Sequence, residues 1–146
     1  MNAKRAAVWV LVLLSALFLA SCAEEEVPAE PPDLVGFWQQ PNIENAAYFH
    51  RAIVTEDTIS VYWYEPESDT TRLFWAGSFI PPQDGAEPYV WDSVNDLERA
   101  KKSRMALRDE TKPFTYEDGK ITYAVYYGRI KAVGALEKVD AWTEFS

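Results

Sequence analysis

Beyond residue 33 the chain is a series of short runs in which apolar and polar side chains alternate. Residues 58–64 put Ile59, Val61 and Trp63 on one face and Thr58, Ser60, Tyr62 and Tyr64 on the other, the period-two pattern of a half-buried strand. Residues 71–79 place Leu73, Trp75, Gly77 and Phe79 on one face. Glu65-Pro66-Glu67-Ser68-Asp69 between these runs predicts a hairpin loop, and Pro81-Pro82-Gln83-Asp84-Gly85 predicts a second break. The sharpest local signal is Asp118-Gly119 between two alternating runs. Two central residues that tolerate positive φ predict a type I′ turn, whose twist matches that of paired strands. Such a turn sets Glu117 opposite Lys120, Tyr116 opposite Ile121 and Phe114 opposite Tyr123, with Thr115 and Thr122 paired on the other face. Gly128 marks a further turn into a last strand from Ile130 to Val139.

Residues 95–107 are charged and do not alternate. Asn95 and Glu98 have the spacing of a capping box, which predicts a short helix from Asp96 to about Lys102 and a return to strand near Met105. The pattern therefore predicts about eight strands, near 34–40, 47–55, 58–64, 71–79, 87–93, 104–109, 113–117 and 120–139, the last span split at Gly128. The fold class is all-β. Short connections favour antiparallel neighbours, and closure into a small up-and-down barrel removes the exposed edges of an open sheet.

The first 21 residues have a different texture. Lys4 and Arg5 precede an apolar stretch over 6–19, broken only by Ser15. About 14 residues is short of the ~20 that span a bilayer as a helix, and the arrangement is that of an export signal. It ends in Leu19-Ala20-Ser21-Cys22. This tetrapeptide resembles the bacterial lipobox. The resemblance implies cleavage before Cys22, diacylglycerol on its sulfur, and a cell-membrane location facing outside the cytoplasm. Cys22 is the one cysteine of the chain, so an intramolecular disulfide is impossible and lipidation would consume an otherwise reactive thiol. One acyl chain anchors marginally at ~0.8 kcal/mol per buried CH₂, whereas more than one holds firmly.

Residues 22–33 continue as the lipidated cysteine and an acidic, proline-rich tether, AEEEVPAEPPD after Cys22. With little to bury it is expected to stay extended, lifting the domain at 34–146 off the membrane by roughly 30 Å at ~3.1 Å per residue. Loss of the leader removes the positive charges of Lys4 and Arg5 and takes the net charge from −9 to −11. That excess argues against nucleic acid as a partner.

The first predicted strand contains Gly36-Phe37-Trp38. This Gly-x-Trp resembles the first-strand motif of lipocalins and avidins, where the tryptophan plugs one end of the barrel. The second lipocalin signature, a Thr-Asp-Tyr loop, is missing. Phe74-Trp75-Ala76-Gly77 and the run from Asp109 to Ile121 are similar to small lipoproteins of Gram-positive bacteria and their phages. Some of those act in superinfection exclusion, and the resemblance implies no site residues.

Candidate chemistry is sparse. His50 is the one histidine, no nucleophile elbow is present, and a zinc site would have to be built mostly from carboxylates. His50 reads as an exposed structural residue. No cofactor, no metal site and no enzymatic activity are expected. The aromatics are numerous: Trp38, Trp63, Trp75, Trp91 and Trp142 accompany 8 tyrosines. They fit a packed small barrel or a binding surface. Trp38, Tyr62, Tyr64 and Trp75 are the candidate binding residues, with Tyr62 and Tyr64 expected to point outward. Arg99, Lys101, Lys102, Arg104, Arg108 and Lys112 gather in an otherwise acidic domain, either as a solvated face or as a dock for an acidic partner or anionic headgroups. The function expected is a membrane-anchored, non-enzymatic protein-binding module at the cell envelope. A lipocalin-like carrier of a small apolar ligand is the alternative.

Overall fold

The computed structural model describes residues 29–142. The export signal and Cys22 lie outside the described residues. Eight strands close into one antiparallel barrel in chain order: β1 (Gly36–Gln39), β2 (Phe49–Val54), β3 (Thr58–Glu65), β4 (Thr70–Ser78), β5 (Tyr89–Asn95), β6 (Thr111–Glu117), β7 (Lys120–Tyr127) and β8 (Ile130–Val139). Closure is made by β1 against β8, with Trp38 opposite Lys138 and Gln39 opposite Glu137. In such a barrel the connections alternate between ends. The β1–β2, β3–β4, β5–β6 and β7–β8 connections lie at one end. The N-terminal approach, the remaining connections and the exit after Val139 lie at the other.

The Asp118-Gly119 turn forms as expected. Both residues have positive φ, 49° and 76°, and Glu117 pairs with Lys120, Tyr116 with Ile121 and Thr115 with Thr122. The Phe114 and Tyr123 rings meet inside at 5.2 Å. The 65–69 loop contains a 3-10 turn (Pro66–Ser68) closed by Asp69 in the left-handed region, and the Asp69 carboxylate accepts from the Tyr64 hydroxyl at 2.9 Å.

Two expectations about 95–109 are corrected. The helix α1 (Leu97–Ala100) is capped by Asp96, whose carboxylate accepts from the Arg99 amide at 3.1 Å. Asn95 cannot serve as the cap because it is still a strand residue, paired with Gly77. Its side-chain amide instead donates to the carbonyls of Leu107 (3.1 Å) and Asp109 (2.7 Å). Residues 104–109 are not a strand. β4 and β5 pair only at Gly77–Asn95 and Ser78–Val94, so they splay apart beyond that point. The chain after α1 fills the wedge through single bonds, Leu107 N–H to the Phe74 carbonyl at 3.0 Å and Ser103 Oγ to the Leu73 carbonyl at 3.0 Å. Gly77 is required at this narrow junction, since a Cβ there would sit 2.4 Å from Ser93 Oγ and 2.5 Å from the Val94 carbonyl.

The end where the chain enters is plugged. Trp38 is 1 % exposed, donates its indole N–H to the Leu34 carbonyl at 2.8 Å, and meets Tyr116 edge-on. Trp91 stacks between Tyr89 and Phe114 nearby. The chain is held before β1 begins. The Ala29 carbonyl accepts from Gly85 N–H at 2.8 Å, and Asp33 pairs with Lys138 at 2.9 Å. That pairing, with the Val35 amide, holds the Asp33 carboxyl below the usual carboxylate range. The last residues of the expected tether thus lie along the barrel.

Candidate functional site

The opposite end is where the barrel opens. β1 has only 4 residues and cannot reach it, and β4 carries a bulge there: Val61 faces Trp75 while Tyr62 faces Leu73, leaving Phe74 as the extra residue. A bulge re-aims side chains, and here both Phe74 and Trp75 end up buried in the interior. Above Phe74 lies a recess of about 450 Å³ lined by Tyr48, Trp63, Arg72, Leu107, Met105 and Tyr127, among others. Trp63 organises it: its ring meets Tyr48 at 5.5 Å, Phe74 at 5.9 Å and Tyr127 at 6.2 Å, all edge-on. Around it Tyr48, Met105, Tyr126, Tyr127 and Ile130 are exposed. A ring of exposed apolar side chains at one end of a domain is a mark of recognition.

Beneath the recess the barrel holds polar groups that the sequence reading placed outside. His50 is 2 % exposed, which corrects its assignment to the surface. It follows the inward parity of Ala52 and Val54 on β2. His50 Nδ1 shares a 2.5 Å hydrogen bond with the Tyr123 hydroxyl, its ring packs 3.8 Å from Trp63, and Nε2 has no partner among the described residues. Burial, with the nearby Lys112 ammonium as a lesser cause, pushes the His50 pKa down to about 3, so the ring is neutral. Lys112 is also inside, 5 % exposed. It donates to the Ala124 carbonyl at 2.7 Å, beyond the last β6–β7 pair, and burial lowers its pKa. A second opening of about 240 Å³, between β8 and the short β1, is lined by His50, Gln40, Tyr127 and Gly134.

The four candidate binding residues do not form one site. Trp38 plugs the closed end. Trp75 is 1 % exposed in the core and donates to Ser93 Oγ at 3.0 Å. Tyr62 and Tyr64 point outward. Tyr64 is nevertheless covered, with the Arg51 guanidinium 3.3 Å from its ring centre, and Tyr62 is half-buried under Arg99. The sequence reading missed Tyr48, Trp63, Tyr126 and Tyr127 as the residues that frame the open end.

The basic run is likewise divided. Lys112 lies inside the barrel, and Lys101 pairs with Glu98 at 2.7 Å. Arg99, Lys102 and Arg104 join Arg72 along an outer groove of about 740 Å³ between β4 and the segment after α1. Among the described residues there is no group of three or more His, Cys, Asp or Glu that could hold a metal ion, and no helix long and apolar enough to cross a membrane.

The fold and its open, aromatic-rimmed end define a small antiparallel β-barrel of a kind compatible with a binding module. No protein-family model, curated protein or solved structure matches the chain.

Proposed function

We propose that the protein is an exported lipoprotein, lipidated at Cys22, whose barrel is a non-enzymatic protein-binding module outside the cytoplasm. The observation that carries this reading is the exposed rim of Tyr48, Met105, Tyr126, Tyr127 and Ile130 on the end opposite the N-terminal approach. A chain anchored at Cys22 would present that rim away from the membrane. Because residues 29–33 lie along the barrel, the spacer available is 23–28, roughly 20 Å at ~3.1 Å per residue. Exposed tyrosines around an apolar centre match the composition of interface hot spots.

The resemblance to phage lipoproteins supplies a narrower version, in which the partner is a component of phage DNA entry. Expression in a phage-sensitive host is then expected to block DNA uptake, and Tyr126→Ser with Tyr127→Ser to restore it at equal surface level. Normal uptake in cells displaying the unaltered protein contradicts the exclusion version.

A second reading is favoured by the recess itself. The middle of the barrel is filled by Trp75, Phe114, Ile59, Ile121 and Leu136, which leaves no room for a deep calyx ligand. The space above Phe74 is still within the roughly 300–1,000 Å³ of small-molecule sites, and its floor is aromatic. N-phenylnaphthylamine, used as an apolar probe, is expected to brighten on binding in this recess, and Trp63→Ala to remove the rise. No rise in the unaltered protein rules this reading out.

A further inference from the structure

We infer that the outer groove beside α1, which adjoins the aromatic recess at Arg72 and Met105, is a binding site for a phosphate-bearing anion. Arg72, Arg99, Lys102 and Arg104 converge on it, with Tyr62 and Met105 in its walls. Among the described residues Arg99, Lys102 and Arg104 form no ion pair, and Arg72 reaches Glu65 only at 3.8 Å with both side chains well exposed, a contact worth little.

Arg99 is also held in place by neutral groups. One terminal nitrogen donates to Ser60 Oγ at 2.8 Å and the other to the Tyr62 hydroxyl at 3.1 Å. Neither acceptor cancels the charge. Its remaining N–H donors are left for a ligand, with the side chain's rotamer entropy already spent on the fold. A guanidinium fixed this way suits the paired oxygens of a phosphate, and the neighbouring cations suit a group that concentrates more than one negative charge on one centre.

The position of the groove limits the source. It lies along the outer wall toward the open end, away from where the chain enters. Headgroups of the membrane that would hold Cys22 are therefore a poor match. The chemistry points to a phosphomonoester or pyrophosphate presented from outside.

Calorimetric titration of the full chain in neutral detergent with inorganic pyrophosphate tests this. Saturable binding is expected, weakened about tenfold or more by Arg104→Gln, and weakened as well by Arg99→Gln. Lys131→Gln, an exposed lysine on β8 away from the groove, is expected to leave it unchanged. Arg104 makes no hydrogen bond among the described residues, so its variant keeps the test valid if Arg99→Gln disturbs folding. Absence of saturable binding, equal weakening by Lys131→Gln, or tighter binding of a hexaglutamate peptide than of pyrophosphate would each overturn the assignment. None of these outcomes bears on Tyr126 and Tyr127, which lie outside the groove.

Discussion

Trp38→Ala is expected to lower the free energy of unfolding by about 3–5 kcal/mol, the range for removing a large buried aromatic. Small domains have about 5–15 kcal/mol in all, so the variant should sit near the limit of folding. The cost has identifiable parts. The indole is 1 % exposed in the plug, and its loss opens a cavity between Leu34, Tyr116 and the closing β1–β8 pair. The Leu34 carbonyl also loses its 2.8 Å donor. Because Trp38 stands opposite both Ala52 and Lys138, the cavity lies at the seam that makes the barrel closed. Equilibrium urea unfolding checks this: the midpoint should fall with the slope unchanged. A loss under about 1 kcal/mol would mean that the closed end is not packed as described.

The second large effect is in acid. His50 has a pKa of about 3 in the folded chain against 6.5 for the free side chain. Between those values the unfolded chain binds a proton that the folded chain refuses. Stability is therefore complete above pH 6.5 and falls as the pH drops toward 3, by about 1.4 kcal/mol per unit. Carboxylates held low in the fold, such as Asp33 with its ordinary value of 3.8, lose their contribution only at more acid pH. The window from 6.5 down to about 4.5 thus reports mainly on His50. Replacing His50 and Tyr123 together by phenylalanine removes both partners of the buried hydrogen bond and leaves neither orphaned. In that double variant, unfolding free energy between those pH values should be nearly flat. An unchanged slope would show that the acid sensitivity comes from elsewhere.

The barrel was legible in the sequence because its period is simple. Alternation placed Ile59, Val61, Phe114, Ile121 and Tyr123 inside, and the Asp118-Gly119 turn fixed one register without ambiguity. The Gly-x-Trp motif also pointed correctly to Trp38 as a plug. The departures from the pattern lie where polarity and inward parity disagree. His50 and Lys112 share the inward parity of Ala52 and Phe114, but polarity suggested the surface. Each is accommodated by a hydrogen bond that the sequence does not display, to the Tyr123 hydroxyl and the Ala124 carbonyl. The bulge at Phe74 has no sequence mark; it inverts the facing of one residue and forms the floor of the recess. The wedge between β4 and β5 is a property of barrel closure, so 104–109 looked like a strand while serving as a filler.

The open end was hidden for a related reason. Tyr48, Trp63 and the Tyr126-Tyr127 pair come from three different parts of the chain and meet only because connections alternate between the ends. The cations of the outer groove show the opposite case. Their crowding was visible in the sequence, but the loss of Lys112 to the interior and the addition of Arg72 from β4 could be known only from the fold.

As proposed, the barrel would be anchored through one residue at one end and would recognise its partner at the other. Metabolic labelling with palmitate, followed by cell fractionation, compares the unaltered chain with Cys22→Ser most directly. The unaltered chain is expected to carry label and sediment with membranes, and Cys22→Ser to carry none and to leave the membrane fraction. Label retained by Cys22→Ser, or no label on the unaltered chain, would contradict the account.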